Sequence, residues 1–144
     1  MKISTKGRYA LRLMLDLATY AKERPVSLKD VANRQDISEK YLEQIMSTLN
    51  KAGYVRSIRG AQGGYLLTKL PEEYTVGMIL RLTEGSLAPV ACVEDEGASC
   101  EMASRCVTSI VYKKINEAVN GVVDGITLQD LLDWQDQGTG QYVI

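Results

Sequence analysis

Apolar residues first recur at helical spacing over residues 5–21, where Leu11, Met14, Leu15 and Ala18 share one face and predict a helix. Ser4 or Thr5 can cap its start, and Pro25 lies just past its end. Lys6, Arg8 and Arg12 cluster in its first half, where cations oppose the helix dipole, so local helix stability does not explain them. Phosphate contact would, with ordinary solvation the plain alternative for each residue alone.

Residues 26–53 divide into two shorter helical patterns. Ser27 followed by Asp30 resembles a capping box, and Leu28, Val31 and Ala32 then make the inner stripe of a short helix. Gln35 and Asp36 form the turn, Asp36 being a residue type that tolerates the left-handed conformation. Ile37 closes the corner, Ser38 caps the next helix and Gly53 ends it. Leu42, Ile45, Met46 and Leu49 bury one side of that helix, leaving Lys40, Glu43, Gln44 and Ser47 on the other. Two such helices joined by a tight turn predict a helix-turn-helix, whose second helix can enter a DNA major groove. An ordinary corner between helices is the alternative, and the next residues weigh against it. Residues 54–58 and 65–68 predict two strands around the basic, glycine-rich turn 59–64. Such a hairpin after a helix-turn-helix is a wing, whose glycines let the backbone approach a phosphate chain closely. Its turn carries Arg59, suited to a minor groove, and Gln62.

Residues 75–82 predict another short helix, broken near Gly85 and Pro89. The stretch 84–105 is irregular, which in a compact domain marks a functional or disordered segment. A long helix is expected over 104–123, with Val107, Ile110, Val111, Ile115, Ala118, Val119 and Val122 in one stripe. That stripe could pack on its own domain. A winged-helix domain closes its own core, however, so a second copy of the chain is the expected partner. Thr127 caps a last helix running through Trp134, and the Gln- and Gly-rich end is expected to be loosely ordered.

Composition narrows the chemistry. The 144 residues suit one domain, or a small domain with an oligomerisation element, and the absence of His excludes His-based triads, dyads and zinc hydrolase sites. Arg12 and Asp16 interrupt the first apolar stretch, so neither a signal peptide nor a membrane span is expected, and a soluble cytoplasmic protein is. The net charge of −1 conceals a division: residues 1–70 hold 13 Lys and Arg against 6 Asp and Glu, and residues 71–144 hold 4 against 12. A net +7 beside a net −8 points to a polyanion-binding first half joined to an acidic second half.

Cys92, Cys100 and Cys106, the only three in the chain, lie in one polar, acidic segment that lacks the periodicity of buried core. Three thiolates gathered by a loop suit a soft metal and are the ligand type of iron–sulfur clusters. Zinc with one added carboxylate, thiol redox chemistry and a structural role for Cys106 stay open on spacing alone.

The opening STKGRYAL, the stretch ISEKYLEQI, the wing RGAQGGYLL and the three-Cys segment before a long helix resemble the bacterial Rrf-type winged-helix regulators, most closely their IscR branch. The resemblance spans nearly the whole chain. It implies a homodimer on near-palindromic promoter DNA, with an iron–sulfur cluster (2Fe–2S first, 4Fe–4S as the alternative) held by Cys92, Cys100 and Cys106. It further implies base reading by Glu43, Gln44 and Arg59, and phosphate contacts from Ser38, Tyr41 and Arg56. Lys40 stands where the IscR pattern has a small hydroxyl residue, and Gln62 joins Arg59 at the wing. Seven residues separate the first two Cys, more than that pattern has, and Ser109 occupies the position of its His ligand. A fourth ligand would have to be Glu94, Asp95, Glu96, Glu101, a partner-subunit group or an external thiol. The acidic ligand of the nitric-oxide-sensing branch is replaced by Arg8, and the cysteine-metabolism branch typically lacks the cluster cysteines.

The expected fold is mainly α with a small β-wing: a winged helix-turn-helix domain over 1–83, a cysteine-bearing loop over 84–106, and a dimerisation helix with C-terminal helix and tail over 107–144. The expected function is a cluster-controlled, DNA-binding transcriptional regulator, not an enzyme. A thiol-redox or nitric-oxide sensor without a stable cluster is the alternative. An enzyme using zinc or a cluster is the rival from another class, and no acid–base constellation supports it.

Overall fold

A computed structural model describes residues 2–94 and 105–141 of the chain. Its helices are α1 Thr5–Tyr20, α2 Leu28–Gln35, α3 Glu39–Lys51, α4 Val76–Glu84, α5 Thr108–Gly125 and α6 Leu128–Gln141. The strands β1 Val55–Ile58 and β2 Gly64–Leu67 form an antiparallel hairpin, pairing Val55 with Leu67 and Ile58 with Gly64.

The caps fall where the polar residues before each apolar pattern put them. Ser4, Ser27 and Ser38 accept from the backbone N–H three residues on, and Thr75 does the same for α4. Asp36 adopts φ 53°, ψ 50°, so the tight turn between α2 and α3 does use the left-handed conformation expected of it. Gly85 ends α4 at φ 77°.

Helix α1 is the axis of the core. Ala10, Leu13, Met14 and Leu17 are wholly buried against Val31, Leu42, Ile45, Leu49 and Ile79. From the far end of the chain, Leu128 enters the same core at 0% exposure, with Leu131 and Leu132 packed against it. The corner between α5 and α6 is tied down by Val76 N–H donating to the Ile126 carbonyl (2.8 Å) and Leu128 N–H to the Tyr74 carbonyl (3.0 Å). Helix α5 lies on α4, where the Arg81 guanidinium donates to both carboxylate oxygens of Asp124 (2.6 and 3.0 Å) and to Asn120 (2.8 Å).

Two boundaries differ from the sequence expectation. Helix α5 begins at Thr108, later than residue 104, because the buried Ser109 hydroxyl donates to the Cys106 carbonyl (2.7 Å) and forms a turn ahead of the helix. Cys106 therefore precedes the helix and lies outside its core face. Helix α6 continues past Trp134 to Gln141, so the expected loose end is helical that far. Ahead of the glycines, Gln135 donates to the Thr19 hydroxyl (3.1 Å), anchoring α6 on α1.

Candidate nucleic-acid interface and cysteine segment

Helix α3 separates its faces as the pattern required: Leu42, Ile45, Met46 and Leu49 are buried, while Lys40, Glu43, Gln44 and Ser47 are exposed. Ser38 Oγ accepts the Tyr41 N–H at 3.1 Å, which leaves its O–H able to donate outward at the helix start. Tyr41 is half-buried, its ring edge-on to Tyr9 with centroids 5.6 Å apart. Beside α3, the wing presents Arg56, Arg59 and Gln62, all exposed. β2 is also pinned to the segment before α2, because Val26 and Tyr65 exchange both backbone hydrogen bonds (3.1 and 2.8 Å). This approach requires glycine, since a Cβ on Gly64 would run into the Val26 carbonyl.

Of the three cations grouped on α1, Arg12 is exposed yet also bonded within the molecule. It donates to the Gln35 side-chain oxygen (3.1 Å) and to the Gln35 carbonyl (2.6 Å), and lies 5.5 Å from the Tyr9 ring centroid. Gln35 in turn donates to Asp16 (2.9 Å), whose buried carboxylate also receives two bonds from Arg34 (3.0 and 2.7 Å). This network braces the turn that aims α3, and sequence reasoning missed it. Asp16, a lone acid in the apolar run MLDLA, was its visible trace. Lys6 is half-buried and Arg8 exposed.

Of the cysteines, Cys100 lies outside the described residues, as do Asp95, Glu96 and Glu101. Cys92 sits half-buried in a 3-10 turn, Ala91–Val93, whose Val93 carbonyl accepts from Asn116 (3.3 Å) on α5. Cys106 is half-buried ahead of α5, with Sγ 3.1 Å from the Thr108 hydroxyl. That hydroxyl, and then the Ser109 N–H, hold the thiol below its ordinary pKa, favouring thiolate. Asn116 and Thr108 are eight residues apart, about 12 Å of helix axis, so the turn that carries Cys92 and the Cys106 thiol meet α5 at different levels. Among the described residues no three Cys, Asp or Glu side chains converge as a metal site. The thiols fit an iron–sulfur cluster in donor chemistry. Glu94 is exposed at the rim of a polar cleft of about 410 Å³ that Arg81, Ser86, Asn116 and Asn120 also line.

An exposed helix face following a tight turn, beside a hairpin with a basic tip, defines a winged helix-turn-helix protein. A family model for Rrf2, described as an iron-dependent transcriptional regulator, matches residues 3–134. The chain belongs to the Rrf2 family of transcriptional regulators, and its relatives are named as regulators, not enzymes. It is 47% identical over 136 residues to the regulator CymR of Bacillus subtilis, covering 94% of this chain and 93% of CymR. It is 42% identical over 132 residues to the regulator IscR of Aliivibrio salmonicida, covering 92% and 77%. A solved structure of B. subtilis CymR, titled as its global cysteine regulator, superposes with TM-score 0.78 at 46% identity, covering 93% of this chain and 98% of that one. The Cys residues had argued against a cysteine-metabolism regulator; these similarities do not separate that branch from IscR. Among the described residues no helix is long and apolar enough to cross a membrane.

Proposed function

We propose that the protein is a homodimeric regulator of promoter DNA whose binding responds to the state of its cysteine segment. The observation that carries the DNA-binding part is the division of α3 into a buried apolar face and an exposed polar one beside the wing. On this reading Glu43 and Gln44 read bases in the major groove, accepting from cytosine or pairing with adenine. Arg59 and Gln62 follow the minor groove at the flank, and Ser38, Lys40, Tyr41 and Arg56 bind phosphate. Residues 1–83 form the reading unit, whose core Leu128 of α6 completes, 84–106 the sensing segment and 107–144 the pairing unit, with the exposed Ile110, Val111, Ile115 and Val122 of α5 meeting a second copy.

For the sensor, Cys92, Cys100 and Cys106 would hold an iron–sulfur cluster, with 2Fe–2S favoured over 4Fe–4S and a carboxylate or partner group as the fourth ligand. When bound, the cluster supplies a link sensitive to iron supply and oxidants. A second reading, a thiol switch responding to cysteine supply or oxidation without a cluster, is favoured by the similarity to CymR and by the lowered Cys106 pKa.

Anaerobic purification followed by iron and sulfide analysis separates the two: stoichiometric iron supports the cluster, and iron-free protein after reconstitution leaves the thiol switch. For DNA, Arg59→Ala is expected to lose about 1–3 kcal/mol of affinity at fixed salt. Unchanged binding to A·T-flanked duplexes would remove Arg59 from the interface.

A further inference from the structure

A single buried hydroxyl holds both feet of the wing. Tyr74, 0% exposed, lies at neither the helix-turn-helix nor the hairpin, but in the extended residue before the α4 cap. Its O–H donates to the Tyr54 carbonyl (2.7 Å), just before β1. The same oxygen accepts the N–H groups of Thr68 (3.1 Å) and Lys69 (3.0 Å), just after β2. The ring meets Tyr54 edge-on, 5.8 Å between centroids. Tyr74 is itself anchored: its carbonyl accepts from Leu128 N–H, and Thr75 beside it forms an antiparallel bridge with Thr127.

The hairpin has its own ties, which set its internal shape. Thr68 N–H donates to the Tyr54 carbonyl (3.3 Å) and Thr68 Oγ1 to the Gly53 carbonyl (2.6 Å), joining foot to foot. Tyr74 ties those feet to the body of the molecule while the Val26–Tyr65 bridge holds β2 nearer the tip, so the angle of the hairpin depends on both ties. The four residues of each strand carry the tip about 13 Å from the feet, so a tilt of about 10° displaces Arg59 by about 2 Å. A shift of that size breaks a hydrogen bond.

We propose that Tyr74 is a positioning residue for DNA binding: its hydroxyl fixes the wing against the α5–α6 corner so that Arg59 reaches its groove. This rests on the DNA-binding reading above. Tyr74→Phe keeps the ring and its packing and removes only the hydroxyl. A buried tyrosine with a merely structural role would change stability and local exchange alone, so the deciding readout is the coupling of its loss to that of Arg59.

The full-length variant is compared with the parent at a temperature where circular dichroism finds both folded. The probe is a duplex that the parent protein selects from a random-sequence pool. The expected result is faster amide exchange at Thr68 and Lys69, together with about fivefold weaker binding. Adding Tyr74→Phe to an Arg59→Ala background should then cost almost nothing, whereas adding it to Gln44→Ala should cost the full factor. Unchanged exchange at those two amides, unchanged affinity, or losses that simply add with Arg59→Ala would each overturn the proposal. A parent protein that selects no duplex would overturn the DNA-binding reading and this inference with it. Normal binding by both proteins overturns only the inference.

Discussion

Helices α1 and α5 have similar apolar periodicity and opposite fates. In the 16 residues of α1, seven are buried, among them Leu13, Met14 and Leu17. In the 18 residues of α5, only Ser109 and Val123 are buried, while Ile110, Val111, Ile115 and Val122 stand 40–58% exposed. Periodicity announces an apolar face; it does not say whether that face is covered within the chain or by another molecule. Burying such a side chain is worth about 1.5–3 kcal/mol, so the uncovered α5 face is a strong incentive to associate.

The comparison breaks most clearly at α1. Leu17→Ala should cost about 2–5 kcal/mol in chemical denaturation, because the wholly buried site leaves a cavity. A loss below that range would mean α1 is less central than its burial implies. On α5, the pair Ile110→Glu and Val111→Glu should instead leave helical content intact and reduce the mass seen by sedimentation to that of one chain. Retention of a dimer would assign the interface elsewhere.

The smallest effect lies where α5 rests on α4. Arg81 hydrogen bonds hold the Asp124 carboxyl below its ordinary value of 3.8, with burial opposing them. A depressed carboxylate pKa stabilises the fold above the unfolded value, and that contribution is lost as pH falls through the lower folded value. Both partners are more than a third exposed, so Asp124→Asn should cost less than about 1 kcal/mol near neutrality. The difference from the parent should vanish in acid, as thermal melts at several pH values would reveal.

Legibility in the sequence followed the range of the interactions involved. The helix-turn-helix was readable because its signals are local: Ser27 and Ser38 cap within three residues, and Asp36 turns at one position. The wing was readable for the same reason, from glycines around a basic turn between two short strands. Tyr74 was not, since its hydroxyl partners lie 5, 6 and 20 residues away and nothing local distinguishes it from a core tyrosine. The brace around Asp16 spans 18 and 19 residues, and was equally hidden. Helix α6 runs past its expected end to Gln141, and its contact to Thr19, 116 residues earlier, could not be read locally. The cysteines were conspicuous as a set, but only the closure of Ser109 on the Cys106 carbonyl shows that the last of them stands before α5.

Leu128 carries a consequence for how the molecule is made. Its side chain sits in a core whose other fully buried members, among the described residues, all lie before position 80. On a ribosome adding about 5–20 residues per second, the segment between Ile79 and Leu128 takes several seconds to synthesise. For that interval the nascent N-terminal region is complete in sequence yet has an apolar opening along α1. A chain halted before Leu128 keeps that opening, and with it a surface that chaperones and proteases recognise.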